Sequence, residues 1–223
     1  MTTNINKMTI KCAVFDLDGT LLNTIKTINH YLNFALAEQG LAPVSEEDCM
    51  RFVGDGAVLL IRRALESVGA EPGLFDSVYK TYNDAYNSSP LYLTEVYDGI
   101  PQLLADMKRR GLKLAVLSNK PDFAVKATVE KFLPHTFDIV RGGIDDIPLK
   151  PSPDSLFEIL NRLGVTPAET AYIGDSEPDV LTAKNAGVDL CIAVAYGFRT
   201  KEQLLAAGAE ILVDKALDVI DYI

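Results

Sequence analysis

At 223 residues and 48% hydrophobic, the chain can bury a full core and holds either one large domain or a domain with a substantial insertion. Twenty-one basic against thirty-one acidic residues give a formal charge of -10, which argues against nucleic acid or an anionic membrane as partner and requires local positive charge for any anionic ligand. The apolar stretch after Lys11 breaks at Asp16, so neither a signal peptide nor a span of about 20 apolar residues can be drawn, and a cytoplasmic location is expected.

The first eight residues are expected to be a loose end. A first strand, "IKCAVF", runs into Asp16 and Asp18. Alternation in a strand turns both acids to one face, where like charges ~4 Å apart repel by about 4 kcal/mol at an effective dielectric near 20. From residue 23 to 91 the pattern is helical only, through "TIKTINHYLNFALAEQG", "SEEDCMRF", "GAVLLIRRALESVG" and "PGLFDSVYKTYNDAYNS". After it, short apolar runs alternate with helix-length segments. "LKLAVLS", "FDIVRG", "TAYIGD", "DLCIAVA" and "AEILV" read as strands, and helices stop at Gly111, Gly164, Gly187 and Gly208, as left-handed C-caps require. The rhythm predicts an α/β fold, a Rossmann-like parallel sheet with an inserted all-helical cap. The core is expected to span residues 1–22 and 92–223, and the cap residues 23–91.

Four polar clusters fall at the ends of successive predicted strands: Asp16 with Asp18, "SNK" at Ser118 to Lys120, Lys150 in "LKPSP", and "GDSEPD" at Gly174 to Asp179. The carboxyl ends of neighbouring parallel strands converge, so these residues are expected to share one crevice. Asp16, Asp18, Asp175 and Asp179 against Lys150 leave about -3 there, which implies a divalent cation. Magnesium suits hard oxygen donors with no imidazole or thiolate on offer. The remaining negative charge favours a proton on one carboxyl, and a protonated aspartate is a general acid.

"DLDGT", "SNK", "LKPSP" and "GDSEPD", in this order, resemble the four motifs of the haloacid dehalogenase superfamily, over nearly the whole chain. "FVGDGA", "LAVLSNKP", "YIGDSEPDVLTAKNAG" and "YGFR" are similar to its phosphoglycolate phosphatase branch. The resemblance implies a magnesium-dependent phosphatase acting on a small phosphorylated metabolite, with phosphoglycolate the first choice. It makes Asp16 the nucleophile that becomes an aspartyl phosphate and Asp18 the acid and then the base. Gly19, Thr20, Ser118, Asn119 and Lys150 would hold phosphate. Magnesium would be bound by Asp16, Asp175 and the Asp18 carbonyl, with Asp179 acting through water or by orienting Lys150. Gly54 and Gly56 of "VGDGA" would reach from the cap toward the site. A phosphosugar mutase, nucleotidase or pyrophosphatase on the same core is the alternative within enzymes, and the chain could be a monomer or a homodimer. A signalling receiver domain has a similar polar set but about half this length, and an inactive phosphate-binding scaffold conflicts with four intact motifs.

Other residues carry blander expectations. Lys120 reads as a solvated lysine, Glu177 as solvent-facing, and Arg62 with Arg63 as a solvated helix face. Tyr79, Tyr82 and Tyr86, spaced three and four apart, read as cap core. Cys12 and Cys191 read as buried small hydrophobes, and the odd cysteine count argues against a disulfide framework. His30 and His135 lack metal-ligand spacing.

Overall fold

The strand Cys12–Phe15 (β1) is buried along its whole length because it lies inside a sheet covered on both faces. Ala13 and Phe15 point into one apolar layer and Cys12 and Val14 into the other, as strand alternation dictates. The computed structural model describes residues 9–89 and 91–223. The first eight residues, expected to be a loose end, lie outside them.

Five further strands among the described residues complete one parallel sheet. They are β4 (Lys113–Pro121), β5 (Ile139–Gly143), β6 (Thr170–Gly174), β7 (Leu190–Val194) and β8 (Ile211–Val213), in spatial order β5-β4-β1-β6-β7-β8. Cys12 aligns with Lys113 on one side and Thr170 on the other. From β1 the chain moves outward through β4 and β5, then returns past β1 to β6. The crevice at such a reversal, at the carboxyl ends of the strands, is where this topology places ligands. Helices α5 (Ile100–Arg109) and α6 (Asp122–Phe132) cover the Phe15 face, and α7 (Asp154–Leu163) and α8 (Glu177–Ala186) cover the Val14 face.

Between residues 24 and 94 lie four α-helices among the described residues: α1 (Ile25–Ala37), α2 (Glu46–Phe52), α3 (Ala57–Ser67) and α4 (Phe75–Ser88). Their apolar stripes close on a core of their own, in which Ile28, Leu32, Leu36, Ile61, Leu65 and Val78 are buried. Ser45 caps α2 by accepting from the Asp48 N–H, with three acids in the first turn. The two chain crossings that join this helical unit to the sheet are paired as a short antiparallel ladder, β2 (Leu22–Asn23) with β3 (Glu95–Val96). Residue pattern alone does not reveal so short a ladder, because two residues carry no periodicity. No helix among the described residues is long and apolar enough to cross a membrane.

Candidate active site

After β1 the chain folds back over the carbonyl of Leu17, which accepts from the N–H groups of Leu21 and Leu22. This turn holds Asp16 and Asp18 at the crevice. Asp16 is 6% exposed; its Oδ1 accepts from the Leu17 N–H at 2.6 Å and meets Lys150 Nζ at 2.9 Å. Asp18 pairs instead with Lys120, whose Nζ lies 2.9 Å from Oδ1 and 3.3 Å from Oδ2. The expected solvated Lys120 is therefore corrected: its side chain is 7% exposed. The register of β4 shifts between Leu117 and Pro121, an irregularity of the kind that re-aims side chains beside active sites. The Lys120 ammonium also stands over the Tyr86 ring, 5.0 Å from its centroid. Burial alone would lower the Lys120 pKa, but the Asp18 carboxylate more than reverses this and raises it.

Lys150 is held from every side. Its Nζ reaches Asp16 and, at 2.6 Å, Asp179 Oδ1, and donates to the Leu117 carbonyl. Its N–H donates to Asn119 Oδ1 at 2.7 Å. Asp179 has both oxygens occupied: Oδ1 by Lys150 and Tyr172, Oδ2 by the N–H and hydroxyl of Ser176. Ser176 and Asp179 form a capping box at the start of α8. The same side chain thus starts a helix and fixes the lysine.

Asp175 is clamped. Thr20 Oγ1 donates to its Oδ1 at 2.9 Å and the Phe198 N–H to its Oδ2 at 2.8 Å. A Cβ on Gly19, where φ is +88°, would stand 2.2 Å from Asp175 Oδ2, and one on Gly197 would stand 2.3 Å from Asp175 Cβ. Gly19 and Thr20 both bear on Asp175. Gly19 leaves room for Asp175, and the hydroxyl of the fully buried Thr20 is spent on the same carboxylate. Gly197 and its contact with Asp175 were not foreseen, because nothing local to "YGFR" points to a residue so far back in the chain.

Oxygens of Asp16, Asp175 and Asp179 lie within 4.8 Å of one another. Burial, then Asp179, Asp175 and Asp18, outweigh Lys150 and raise the Asp16 carboxyl well above its usual range. Burial and Asp179 push Asp175 up to about 7, against the N–H of Phe198, Thr20 and Arg199. Carboxylates this close in a buried site, with hard oxygen donors throughout, fit a divalent cation. With Lys120 counted beside Lys150, the four acids retain two negative charges, which one such ion cancels. The sequence-level count lacked that second lysine.

A cavity of about 80 Å³ opens between this cluster and the helical unit. Ser118 and Asn119 line it from β4, and Gly54 and Gly56 from the loop before α3. Asn119 Nδ2 donates to the Gly54 carbonyl at 2.9 Å and to the Lys150 carbonyl at 3.0 Å, so its side chain joins loop, strand and lysine. The Gly54 carbonyl of "VGDGA" thus meets β4 at Asn119. Arg199, to which sequence reasoning gave no role, is 6% exposed. Its Nε pairs with Glu177 at 2.7 Å, and its two terminal nitrogens donate to the carbonyls of Met50 and Val53.

The remaining expectations meet mixed outcomes. Glu177 faces Arg199 rather than solvent alone. Arg62 is exposed with its guanidinium over Phe75, whereas Arg63 pairs with Asp55 at 2.6 Å and donates to the Phe52 carbonyl. Tyr82 and Tyr86 are buried in the helical core, as read, but also line the cavity, and Tyr79 packs at its edge. Cys12 is buried and Cys191 only partly so, each thiol pushed up to about 12 by burial.

The order of strands, the acids at their carboxyl ends and the paired lysines define a hydrolase site on a three-layer α/β core. The chain belongs to the haloacid dehalogenase-like hydrolase family, whose family model matches residues 13–193. It is 35% identical to the phosphoglycolate phosphatase of Rhodospirillum rubrum, over 96% of this chain and 90% of that one. Identity is 32% to phosphoglycolate phosphatase 1 of Pseudomonas aeruginosa, over 94% and 78%. Among solved structures, a Lactobacillus delbrueckii protein provisionally named a phosphoglycolate phosphatase matches with a TM-score of 0.89 at 34% identity, covering 95% of this chain and 97% of that one. CbbY from Rhodobacter sphaeroides, solved in complex with phosphate, matches with a TM-score of 0.78 at 25% identity, covering 95% and 96%.

Proposed function

We propose that the protein is a magnesium-dependent phosphatase for a small phosphate monoester, with phosphoglycolate the first candidate. The observation that carries this reading is one cavity of about 80 Å³ lined by both Asp16 and Asp18, each paired with its own buried lysine. Asp16 Oδ1 already takes two partners, which leaves Oδ2 to attack phosphorus in line and form an aspartyl phosphate. Positioning is what makes a carboxylate effective there. Asp18 would give its proton to the departing alkoxide and then take one from the water that hydrolyses the acyl phosphate. Lys150 would neutralise charge on Asp16 and on the transferring oxygens. The Ser118 hydroxyl and the Asn119 N–H would hold phosphate, while the Asn119 side chain keeps Lys150 in place.

Asp16, Asp175 and the Asp18 carbonyl would hold magnesium, and Asp179 would orient Lys150. When bound, the ion supplies charge neutralisation for the phosphoryl group. Residues 23–91 would act as a cap whose closure shuts water out, with Gly54 and Gly56 over the leaving group. A cavity this small, room for roughly half a dozen waters at about 10–15 Å³ of probe volume each, favours short leaving groups. The names of the relatives support the substrate.

The test is phosphate release from phosphoglycolate, small sugar phosphates and nucleoside monophosphates at matched concentration, with magnesium and with chelator, using Asp16→Asn as the blank. Magnesium-dependent release led by phosphoglycolate is expected. A sugar phosphate or nucleotide with ten times its kcat/KM would remove that substrate and keep the phosphatase; no release from any ester would remove both.

A further inference from the structure

Lys120 borders the cavity and is placed differently from the other buried cations of the site. The amine of Lys150 is taken up by two carboxylates and a carbonyl. Arg199 spends Nε and both terminal nitrogens on Glu177, Met50 and Val53. Lys120 has one carboxylate partner, Asp18, met through two hydrogen bonds, and an ammonium has three N–H groups. The same ammonium stands over the Tyr86 ring. Tyr86 is 6% exposed, lines the same cavity, and its hydroxyl has no hydrogen-bond partner. A buried hydroxyl left unsatisfied is costly, so a ligand that completes it gains affinity.

These two incomplete donors stand on one side of the site. Lys150 attends Asp16, the attacking group, whereas Lys120 attends Asp18, the group assigned to the leaving oxygen. Around them the wall is apolar, with Val53, Leu60 and Phe198. A leaving group that ends in hydrocarbon would leave both donors unmet, whereas a short one that ends in an anion would meet them together.

Resting on the phosphatase reading, we infer that Lys120 and the Tyr86 hydroxyl form a subsite for a carboxylate carried by the leaving group. Lys120 is then a specificity-determining residue as well as the partner of Asp18, and Tyr86 makes the helical unit part of substrate selection. The cavity's size limits the subsite to leaving alcohols of about two carbons.

The test separates binding from turnover. Calorimetry in magnesium buffer compares 3-phosphonopropionate, which ends in a carboxylate and cannot be hydrolysed, with 3-hydroxypropylphosphonate, which ends in an alcohol. The parent protein is expected to bind the carboxylate at least tenfold more tightly. Lys120→Met should bring the ratio close to one, and Tyr86→Phe should lower it about threefold. Lys120→Met leaves Asp18 unpaired, so a role confined to holding Asp18 would weaken both ligands by one factor. That result, or a parent with no preference, overturns the subsite. Should Lys120→Met not fold, Tyr86→Phe decides, since it removes a hydroxyl whose one polar neighbour is the Lys120 ammonium and leaves the Lys120–Asp18 pair in place: an unchanged ratio overturns the subsite. Hydrolysis of 2-hydroxyethyl phosphate by the parent tests the phosphatase reading separately, because it needs no distal anion.

Discussion

On the sheet side of the cavity Asp16, Asp175, Asp179 and Lys150 each meet two or more protein partners. On the helical side Val53, Leu60, Tyr82 and Tyr86 line the cavity, and the Tyr86 hydroxyl meets no partner. The helical unit is tied to the sheet side of the cavity through backbone carbonyls, with Asn119 on Gly54 and Arg199 on Met50 and Val53. The sheet side is built so that nothing needs to reorient when charge develops, which is where preorganised electrostatics act. Hydrogen bonds from two side chains to carbonyls can be broken and remade while the helical core stays packed, which suits a part that must open.

Breaking the sheet side should cost most. Asp16→Asn removes the attacking group without changing volume, and turnover is expected to fall by at least about 10³-fold, the scale of nucleophile removal. A covalent phosphate should be trapped by acid quench in the parent only, and activity above a few per cent in the variant would end covalent catalysis as the mechanism. Asp18→Asn is expected to lower turnover by about 10²- to 10⁴-fold, with a smaller loss for nitrophenyl phosphate than for alkyl phosphates. Equal losses on both would argue against proton donation in the first step.

Loosening the helical side should cost less. Arg199→Met strips the Met50 and Val53 carbonyls of a donor while leaving the acids in place. A rise of roughly tenfold in KM is expected, in line with about 1.4 kcal/mol of lost closure. Hydrogen exchange should quicken at residues 50–56 and stay unchanged along β1. Faster exchange along β1 as well would mean that the two regions do not move separately.

The smallest effect concerns pH. The Asp175 carboxyl sits at about 7 rather than its ordinary 3.8, so without metal the folded chain holds this proton to higher pH than the unfolded chain does. Metal-free stability should therefore fall as pH rises from about 4 towards 7. A cation needs the deprotonated form, so its affinity should rise with pH as Asp175 loses its proton. Thermal melts with and without magnesium at pH 6 and pH 8 check both, and a larger magnesium-induced rise in Tm at pH 6 would contradict the assignment of Asp175.

The strands and helices were legible because burial on both faces of a parallel sheet writes continuous apolar runs, and helices write their own period. Asp16, Asp18, Ser118, Lys150 and Asp175 were legible because polar residues at strand ends must share the crevice that parallel strands create. Those constraints are local and repeat along the chain, so the order of residues carries them. Tertiary structure alone decided the rest. Lys120 is 102 positions from Asp18, Thr20 is 155 from Asp175, and Arg199 is 146 from Val53. Lys120 meets Asp18 and Thr20 meets Asp175 across the ends of neighbouring strands, and Arg199 meets Val53 where a distant loop docks on the helical unit; an isolated lysine, threonine or arginine has the same local signature whether solvated or buried. The partners of these side chains emerge only after folding, because burial makes an unpaired polar group costly.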